Sequence, residues 1–230
     1  MGRLCRQLLN VAAVTVLCVT VAPVGAQTAD VGPGEIETSA SRVFVFVDGT
    51  GLGHDHGMEA RFTEGRLELG AVADAGRLVI DMTSFEADTP AARSAVGLDG
   101  ESAKWMRKAV TKEMRGKKIL DSEAFPKAVF TIASARRVGN VLKTAEPMYE
   151  LVGTLQLKDK VRAVTVRVAV AEDRGWLRLK GEFPLTQSDY GIKPLSKGFG
   201  TMGVADTLVV HGDVWLAPTA GSIASLREAR

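Results

Sequence analysis

The sequence predicts an all-β fold, an antiparallel sheet of about eight strands closed on itself, with one internal helix. Two observations predict the sheet: apolar and polar residues alternate over short segments, and glycines lie between many of those segments. A third observation predicts the helix, because one stretch without glycine or proline repeats apolar residues four positions apart. The segments are taken below in chain order.

The first 26 residues have the composition of a secretory signal peptide. Arg3 and Arg6 precede an apolar run at 8–24, and Val24-Gly25-Ala26 provides a cleavage site. The alternative is an uncleaved membrane anchor, but the run barely reaches the length of a bilayer span. We therefore expect cleavage after Ala26, no stable membrane span afterwards, and a periplasmic or secreted protein.

The remaining 204 residues are electrically neutral and contain no cysteine. Without Arg3 and Arg6 the 29 basic residues fall to 27, which equals the 27 acidic residues. This balance does not suggest nucleic acid as a partner. Both cysteines, Cys5 and Cys18, lie in the expected leader. The core, rather than disulfides, must therefore hold an exported chain of this kind together.

Glycine and proline at 32–34 indicate a flexible N-terminal segment at 27–41, after the leader at 1–26. A single barrel domain is expected at 42–217 and a C-terminal tail at 218–230. Eight segments are predicted as strands, namely 43–47, 66–69, 77–82, 129–132, 149–157, 164–170, 177–185 and 208–216. Closing such a sheet removes its exposed edges.

The internal helical insert is predicted near residues 102–115. Met106, Val110 and Met114 form one apolar stripe along it, with basic residues around them. Two interpretations stay open. The helix covers the mouth of the barrel, with Trp105 and the methionines touching a ligand, or it simply packs on the sheet.

A barrel of about eight strands is either filled by side chains or holds one small ligand. Gly153, Gly181 and Gly212 fall on the apolar side of three predicted strands. A glycine there leaves room inside the barrel or marks a bend in a strand. Three such glycines favour a cavity modestly.

His54, His56 and His211 are weak candidates for metal ligands, with Asp55 between the first two. No further ligand stands at a diagnostic spacing, so a polar loop near the rim is favoured and no metal is expected. We also find no Gly-x-Ser-x-Gly motif, and no cysteine nucleophile follows the leader. The sequence therefore does not indicate an enzyme, and no catalytic residue is predicted.

Several motifs resemble those of the YceI-like family, exported polyisoprenoid-binding proteins. Residues 121–130, DSEAFPKAVF, resemble the signature D-x-x-x-[FY]-P-x-A-x-F. Residues 153–157 resemble its G-x-L-x-L strand, 187–192 its R-x-D-F-G-I motif, and 204–208 its V-x-D-x-V motif. The resemblance spans residues 42–216. Gln187 and Tyr190 depart from the usual Arg and Phe, and the insert at 86–115 is longer than is common.

The resemblance implies an extended, lipocalin-like, eight-stranded antiparallel barrel with a long apolar cavity. It implies a hydrophobic or amphiphilic small-molecule partner, an isoprenoid or isoprenoid quinone, carried or sequestered without catalysis and without another cofactor. Some relatives are dimers, so a homodimer is also open. The candidate cavity-lining residues are Phe46, Phe62, Ile80, Met82, Trp105, Met106, Phe130, Leu155, Val166, Leu179, Phe183 and Val210.

The alternative function is a filled barrel that acts as a protein-interaction module in the cell envelope. The same apolar residues would then be ordinary core, and exposed apolar patches would carry the function.

Overall fold

The computed structural model describes residues 31–227, and the predicted leader lies outside this range. The strands are β1 Arg42–Val47, β2 Gly49–Gly51, β3 His56–Leu67, β4 Gly76–Ala87, β5 Lys127–Asn140, β6 Pro147–Leu157, β7 Lys160–Asp173, β8 Trp176–Thr186, β9 Ser196–Lys197, β10 Met202–Val204 and β11 Thr207–Leu216. The helices are α1 Pro90–Ala95, α2 Lys104–Arg115 and α3 Ala220–Arg227. Within residues 31–227, no helix is long and apolar enough to cross a membrane.

Eight strands form a closed antiparallel barrel in the order β1-β11-β8-β7-β6-β5-β4-β3. β6 shows the alternation that forms such a strand. Leu151, Leu155 and Leu157 are buried, while Val152 and Thr154 between them are exposed. Alternation of this kind gives each strand one face toward the interior and one toward water. The predicted all-β barrel of eight strands is confirmed.

β3 is much longer than the segment predicted at 66–69. Its pairing with β4 shifts register between Glu59 and Arg61 and again between Phe62 and Glu64. Each shift inserts extra residues and interrupts the alternation on which the prediction depended. The strand therefore begins ten residues earlier, at His56.

One end of the barrel, which we call the closed end, is filled by side chains. Its fully buried residues are Leu67, Leu69, Ile132, Tyr149, Leu177 and Leu216. Leu67 and Leu216 are the last residues of β3 and β11, whereas Tyr149 and Leu177 lie near the starts of β6 and β8. Since the strands are antiparallel, these residues meet at the same end of the barrel. Their packing leaves no room for a ligand there.

A flexible segment was predicted at 27–41, of which 27–30 lie outside the described residues. From Gly34 onward this segment is hydrogen-bonded at the closed end. The Gly34 amide donates to the Ala217 carbonyl at 2.9 Å, and the Ile36 amide to the Gly65 carbonyl at 3.0 Å. The Ile36 side chain is buried. Gly34 takes φ +79°, a left-handed turn that glycine adopts without strain, and its amide is bonded at the closed end.

The predicted C-terminal tail at 218–230 likewise contains α3, which also lies against the closed end. The hydroxyl oxygens of Tyr149 and Ser225 lie 2.7 Å apart, and Thr219 donates to the Glu68 carboxylate at 2.8 Å. Leu226 packs against the core. The short pattern Ile223–Leu226 was too brief to predict a helix from periodicity alone.

The opposite end, which we call the mouth, carries a small sheet of β2, β10 and β9. We call these three strands and their connecting turns the rim sheet. β2 follows β1 directly, β10 directly precedes β11, and Met202 of β10 pairs with Gly51 of β2. The sequence did not indicate these strands, which are two or three residues long.

The barrel wall has a gap between β4 and β5 at the mouth. β4 pairs with β5 only from Gly76 to Asp81, and the upper part of β4 has no strand on that side. α2 covers the gap: the Ala87 amide donates to Thr111 Oγ1 at 2.9 Å, and Arg115 donates to the Phe85 carbonyl at 2.7 Å. α2 confirms the helix predicted near 102–115.

Candidate functional site

A cavity of about 400 Å³ runs from the mouth into the barrel. All eight barrel strands contribute to its wall, and α2 and the rim sheet surround its opening. The deepest lining residues, among them Val43, Leu67 and Val214, separate it from the packed closed end. The interior is therefore hollow on the side of the mouth, which departs from the filled-barrel alternative.

The wall of the cavity is apolar except at the mouth. Its polar side chains are those of His54, His56, Glu113, Gln187 and Lys197, and each stands at an end of a strand or on α2. Every lining residue further in is aliphatic, aromatic, methionine, alanine or glycine. An apolar group placed in this space is removed from water without leaving a buried polar group unpaired.

Ten of the twelve predicted lining residues face the cavity. They are Phe62, Ile80, Met82, Met106, Phe130, Leu155, Val166, Leu179, Phe183 and Val210. Nine of these positions follow from strand parity, since each lies on the apolar side of its strand, and Met106 belongs to the apolar stripe of α2.

Phe46 and Trp105 were predicted to line the cavity and do not. In β1 the inward residues are Val43, Val45 and Val47, so Phe46 faces outward. Both parities of this strand are apolar, and its sequence therefore carries no signal for the inward face. Trp105 is 70% exposed. It is next to Met106 on α2, and adjacent residues of a helix face different directions, so Trp105 points away from the barrel when Met106 faces the cavity.

Met106, Val110 and Met114 of α2 all line the cavity. The helical stripe therefore faces the lumen, as the interpretation of a helix covering the mouth expected. Glu113 on the same helix forms an ion pair of 2.7 Å with Lys197 of β9, which joins α2 to the rim sheet. Methionine side chains are flexible and polarizable, and adapt to ligands of irregular shape.

The three glycines noted in the sequence have different roles. A Cβ at Gly212 would have only the Gly181 carbonyl oxygen within reach, at 4.0 Å, so this glycine leaves space open. A Cβ at Gly153 would lie 2.1 Å from the Thr131 carbonyl oxygen, beside a register shift in β5. Gly153 therefore permits a bend. Gly181, the cross-strand partner of Gly212, also lines the cavity, but a Cβ there would lie 2.4 Å from the Arg167 carbonyl oxygen, so it permits a close approach of two strands.

His56 and Asp88 form a buried pair at the mouth. Nδ1 of His56 lies 2.7 Å from Oδ2 of Asp88, whose Oδ1 accepts the Gly57 amide at 3.0 Å. Arg93 stands 3.4 Å from the same carboxylate. Burial opposes ionisation of this carboxyl, but the His56 and Gly57 hydrogen bonds and the Arg93 charge together hold the pKa of Asp88 below its usual range.

The three weak metal candidates are not brought together. His56 pairs with Asp88, His211 on the outer face of β11 lies 3.1 Å from Glu182, and His54 is exposed at the rim. Within residues 31–227 no group of three histidine, cysteine or acidic side chains is placed to hold a metal ion.

Gln187, which stands where the resembled motif has Arg, is buried at the mouth. Its side-chain amide donates to the Ala205 carbonyl at 2.8 Å, and its backbone amide donates to the Asp206 carbonyl at 2.9 Å. Ser188 donates to the Asp206 carboxylate at 2.6 Å. These contacts join the end of β8 to the start of β11, so this residue fixes the backbone and brings no charge to the cavity.

Sequence reasoning missed several lining residues. Met58, near the start of β3, lay outside the predicted strand. Val43 and Val45 could not be assigned to the inward face, because both faces of β1 are apolar. Val110 and Met114 were in the predicted stripe, and their spacing from Met106 was sufficient to find them. Leu195 belongs to a loop without periodicity.

Comparisons with known proteins agree with this architecture. A family model described as a YceI-like domain matches residues 35–215. The structure is similar to BcnA of Burkholderia cenocepacia, with a TM-score of 0.51, 17% identity, and coverage of 78% of this chain and 98% of that one. No match was found among curated proteins.

A second similar structure is a polyisoprenoid binding domain from Saccharophagus degradans implicated in plant cell wall breakdown. The TM-score is 0.52 at 13% identity, with coverage of 81% of this chain and 100% of the other. At these identities the two structures support the barrel fold. The family model covers well over half of the sequence, and the chain therefore belongs to the YceI-like domain family.

Proposed function

We propose that this protein is an exported carrier that holds an isoprenoid or a similar amphiphilic lipid in its barrel, without catalysis. The observation that carries the proposal is the cavity of about 400 Å³ with an apolar wall and polar groups only at its mouth. This volume lies within the range of small-molecule sites, roughly 300 to 1,000 Å³.

The distribution of polar groups supports one orientation of the ligand. An apolar tail would extend toward Leu67 and Val214, where no polar side chain lines the wall. A polar head would remain near His54 and Lys197 at the mouth. Burial of the tail supplies the affinity, at about 25 cal/mol per Å² of apolar surface removed from water.

Membership of the family and the polyisoprenoid binding domain from Saccharophagus degradans favour an isoprenoid tail over other apolar chains. Export is proposed from the leader predicted at 1–26, with a periplasmic or secreted location. A homodimer stays a prediction from the resemblance.

Native mass spectrometry of the purified protein with farnesol, a short isoprenoid alcohol, tests the proposal. We expect a complex of one farnesol per chain. Gly212→Leu should weaken it about tenfold, because the added side chain projects into open cavity space. Val209→Leu, on the outer face of the same strand, is the matched control and should bind as the wild type does.

Equal farnesol binding by the Gly212→Leu and wild-type proteins would show that the ligand lies outside the barrel. Absence of farnesol and of any co-purifying lipid from the wild type would also contradict the proposal.

A further inference from the structure

The mouth carries apolar side chains that the fold itself does not use. Phe199 is fully exposed, and Leu52 is 71% exposed. Both belong to the rim sheet or its adjoining turn, since the Leu52 amide donates to the Thr201 carbonyl at 2.9 Å. Trp105 on α2, beside the opening of the cavity, is also a large exposed apolar residue.

The backbone at Phe199 is strained in order to present that ring. Gly198, Phe199 and Gly200 have φ values of +59°, +55° and +91°. Glycine accepts the left-handed region freely, but a bulky residue there is uncommon and unfavourable. The ring is fully exposed, so no packing contact within residues 31–227 offsets this strain. Strain of this kind is characteristic of functional positions.

α2 and the turn after it, beside the opening of the cavity, form a basic segment. Residues 104–118 contain seven basic groups and one acidic group, Glu113, which pairs with Lys197. The rest of residues 27–230 has 20 basic and 26 acidic groups, so the positive charge is local to α2 and the turn that follows it. Lys104, Lys108 and Lys112 are exposed beside Trp105.

We propose that the mouth docks on the surface of an anionic phospholipid bilayer. We call the contacting residues the docking rim: Leu52, Trp105 and Phe199 with Lys104, Lys108 and Lys112. The aromatic and aliphatic side chains enter the headgroup region, and the lysines contact the anionic headgroups. Aromatic residues beside lysines are the composition that bilayer interfaces favour.

Docking in this orientation places the cavity opening against the lipid. Met202 is partly exposed on the rim sheet and also lines the cavity, so an apolar path leads from the docking rim to the interior. This inference extends the proposed function by giving the carried lipid a route from the bilayer to the barrel.

Flotation of the ligand-free protein with vesicles tests the docking. We expect binding to phosphatidylcholine vesicles that contain roughly 30% phosphatidylglycerol, weaker binding to pure phosphatidylcholine, and a decrease as salt rises from roughly 50 to 500 mM. Lys108→Glu with Lys112→Glu should remove the dependence on phosphatidylglycerol. Arg136→Glu with Lys143→Glu is the matched control, since it makes the same change in charge at the closed end.

The apolar contribution is tested by Leu52→Ala with Phe199→Gly. These substitutions should lower the vesicle-bound fraction about tenfold, while farnesol binding from solution is retained because neither residue lines the cavity. Val138→Ala with Leu142→Ala, at two exposed apolar residues of the closed end, should float as the wild type does.

Docking is overturned if the wild type does not float with anionic vesicles, or if the closed-end control loses as much binding as the rim variant. A protein partner that the wild type retains and the rim variant loses, with no vesicle binding, would also overturn it. Farnesol binding without vesicle binding refutes the docking alone. Vesicle binding without farnesol binding refutes the carrier function alone.

Discussion

Asp88 is the residue on which the geometry of the mouth most depends. It takes a left-handed φ of +51° between β4 and α1, and its carboxylate joins His56 of β3 to Arg93 of α1. Its amide also donates to the Gly57 carbonyl. Since the pKa of Asp88 in the folded protein lies below its value in the unfolded chain, the ionised carboxylate stabilises the fold above about pH 4. That contribution is lost as the pH falls through the folded pKa.

We expect Asp88→Asn to lower the free energy of unfolding by about 2 kcal/mol at neutral pH. The two carboxylate oxygens of Asp88 bond His56 and Gly57, whereas asparagine is uncharged and has an NH₂ group in place of one of these oxygens. The difference from wild type should begin to shrink below about pH 4 and should be lost once the pH falls through the lowered pKa of Asp88, where the wild-type carboxyl also becomes neutral. Urea unfolding of both proteins at neutral pH and at acidic pH below about 4 measures both effects. The exposed Asp189→Asn is the control, and equal losses in the two variants would contradict the prediction.

At the scale of elements, α2 acts as the missing wall between β4 and β5. Its side chains bind backbone groups that a neighbouring strand would otherwise have paired, the amide of Ala87 and the carbonyl of Phe85. Its other face supplies Met106, Val110 and Met114 to the cavity. A wall held by side chains is easier to open than one held by a ladder of backbone hydrogen bonds.

Thr111→Val tests how α2 is held. The change keeps the shape of the side chain but removes the acceptor for the Ala87 amide, and should lower the free energy of unfolding by about 1–2 kcal/mol. Backbone amides of α2 should exchange with solvent faster, while those of β6 should not. Thr154→Val, exposed on β6, is the control. Unchanged exchange in α2 would show that its apolar face alone holds it.

The elements that could be predicted from sequence are those with an uninterrupted period. The stripe of Met106, Val110 and Met114 predicted α2, and alternation predicted the long barrel strands. β3 was found only at its end because its bulges break the alternation near Phe62. The inward face of β1 could not be predicted, since Phe46 and Val45 are equally apolar.

At the scale of the whole molecule, the barrel has two unlike ends. Side chains fill the closed end, and N-terminal and C-terminal segments cover it, while the mouth contains the cavity, the basic helix α2 and the exposed rings of Trp105 and Phe199. Stability and binding are therefore assigned to different ends of the same strands.

Two leucines of β11 test this division. Leu216→Ala should lower the free energy of unfolding by about 3–4 kcal/mol, because Leu216 is fully buried at the closed end and its removal leaves a new void. Leu208→Ala should cost about 1 kcal/mol, because Leu208 lines a cavity that already exists and is only partly buried. Chemical denaturation measures both, and equal losses would contradict the division.

The site was predictable in outline, since strand parity identified residues such as Phe130 and Leu179 that face the cavity. Its volume was not, because the same apolar parity describes both the packed closed end and the hollow mouth. The difference arises from tertiary features, such as the open space at Gly212 and the gap covered by α2. The orientation of Trp105 also depends on where α2 packs.

The segment at 31–41 and α3 both lie at the closed end, and this makes the molecule convenient to orient on a sensor chip. A biotin or fluorophore attached beside either of them would be on the side away from the docking rim. Immobilised molecules would then all present the same face to the flow, so reflectometry or surface plasmon resonance would record contacts made by the mouth alone.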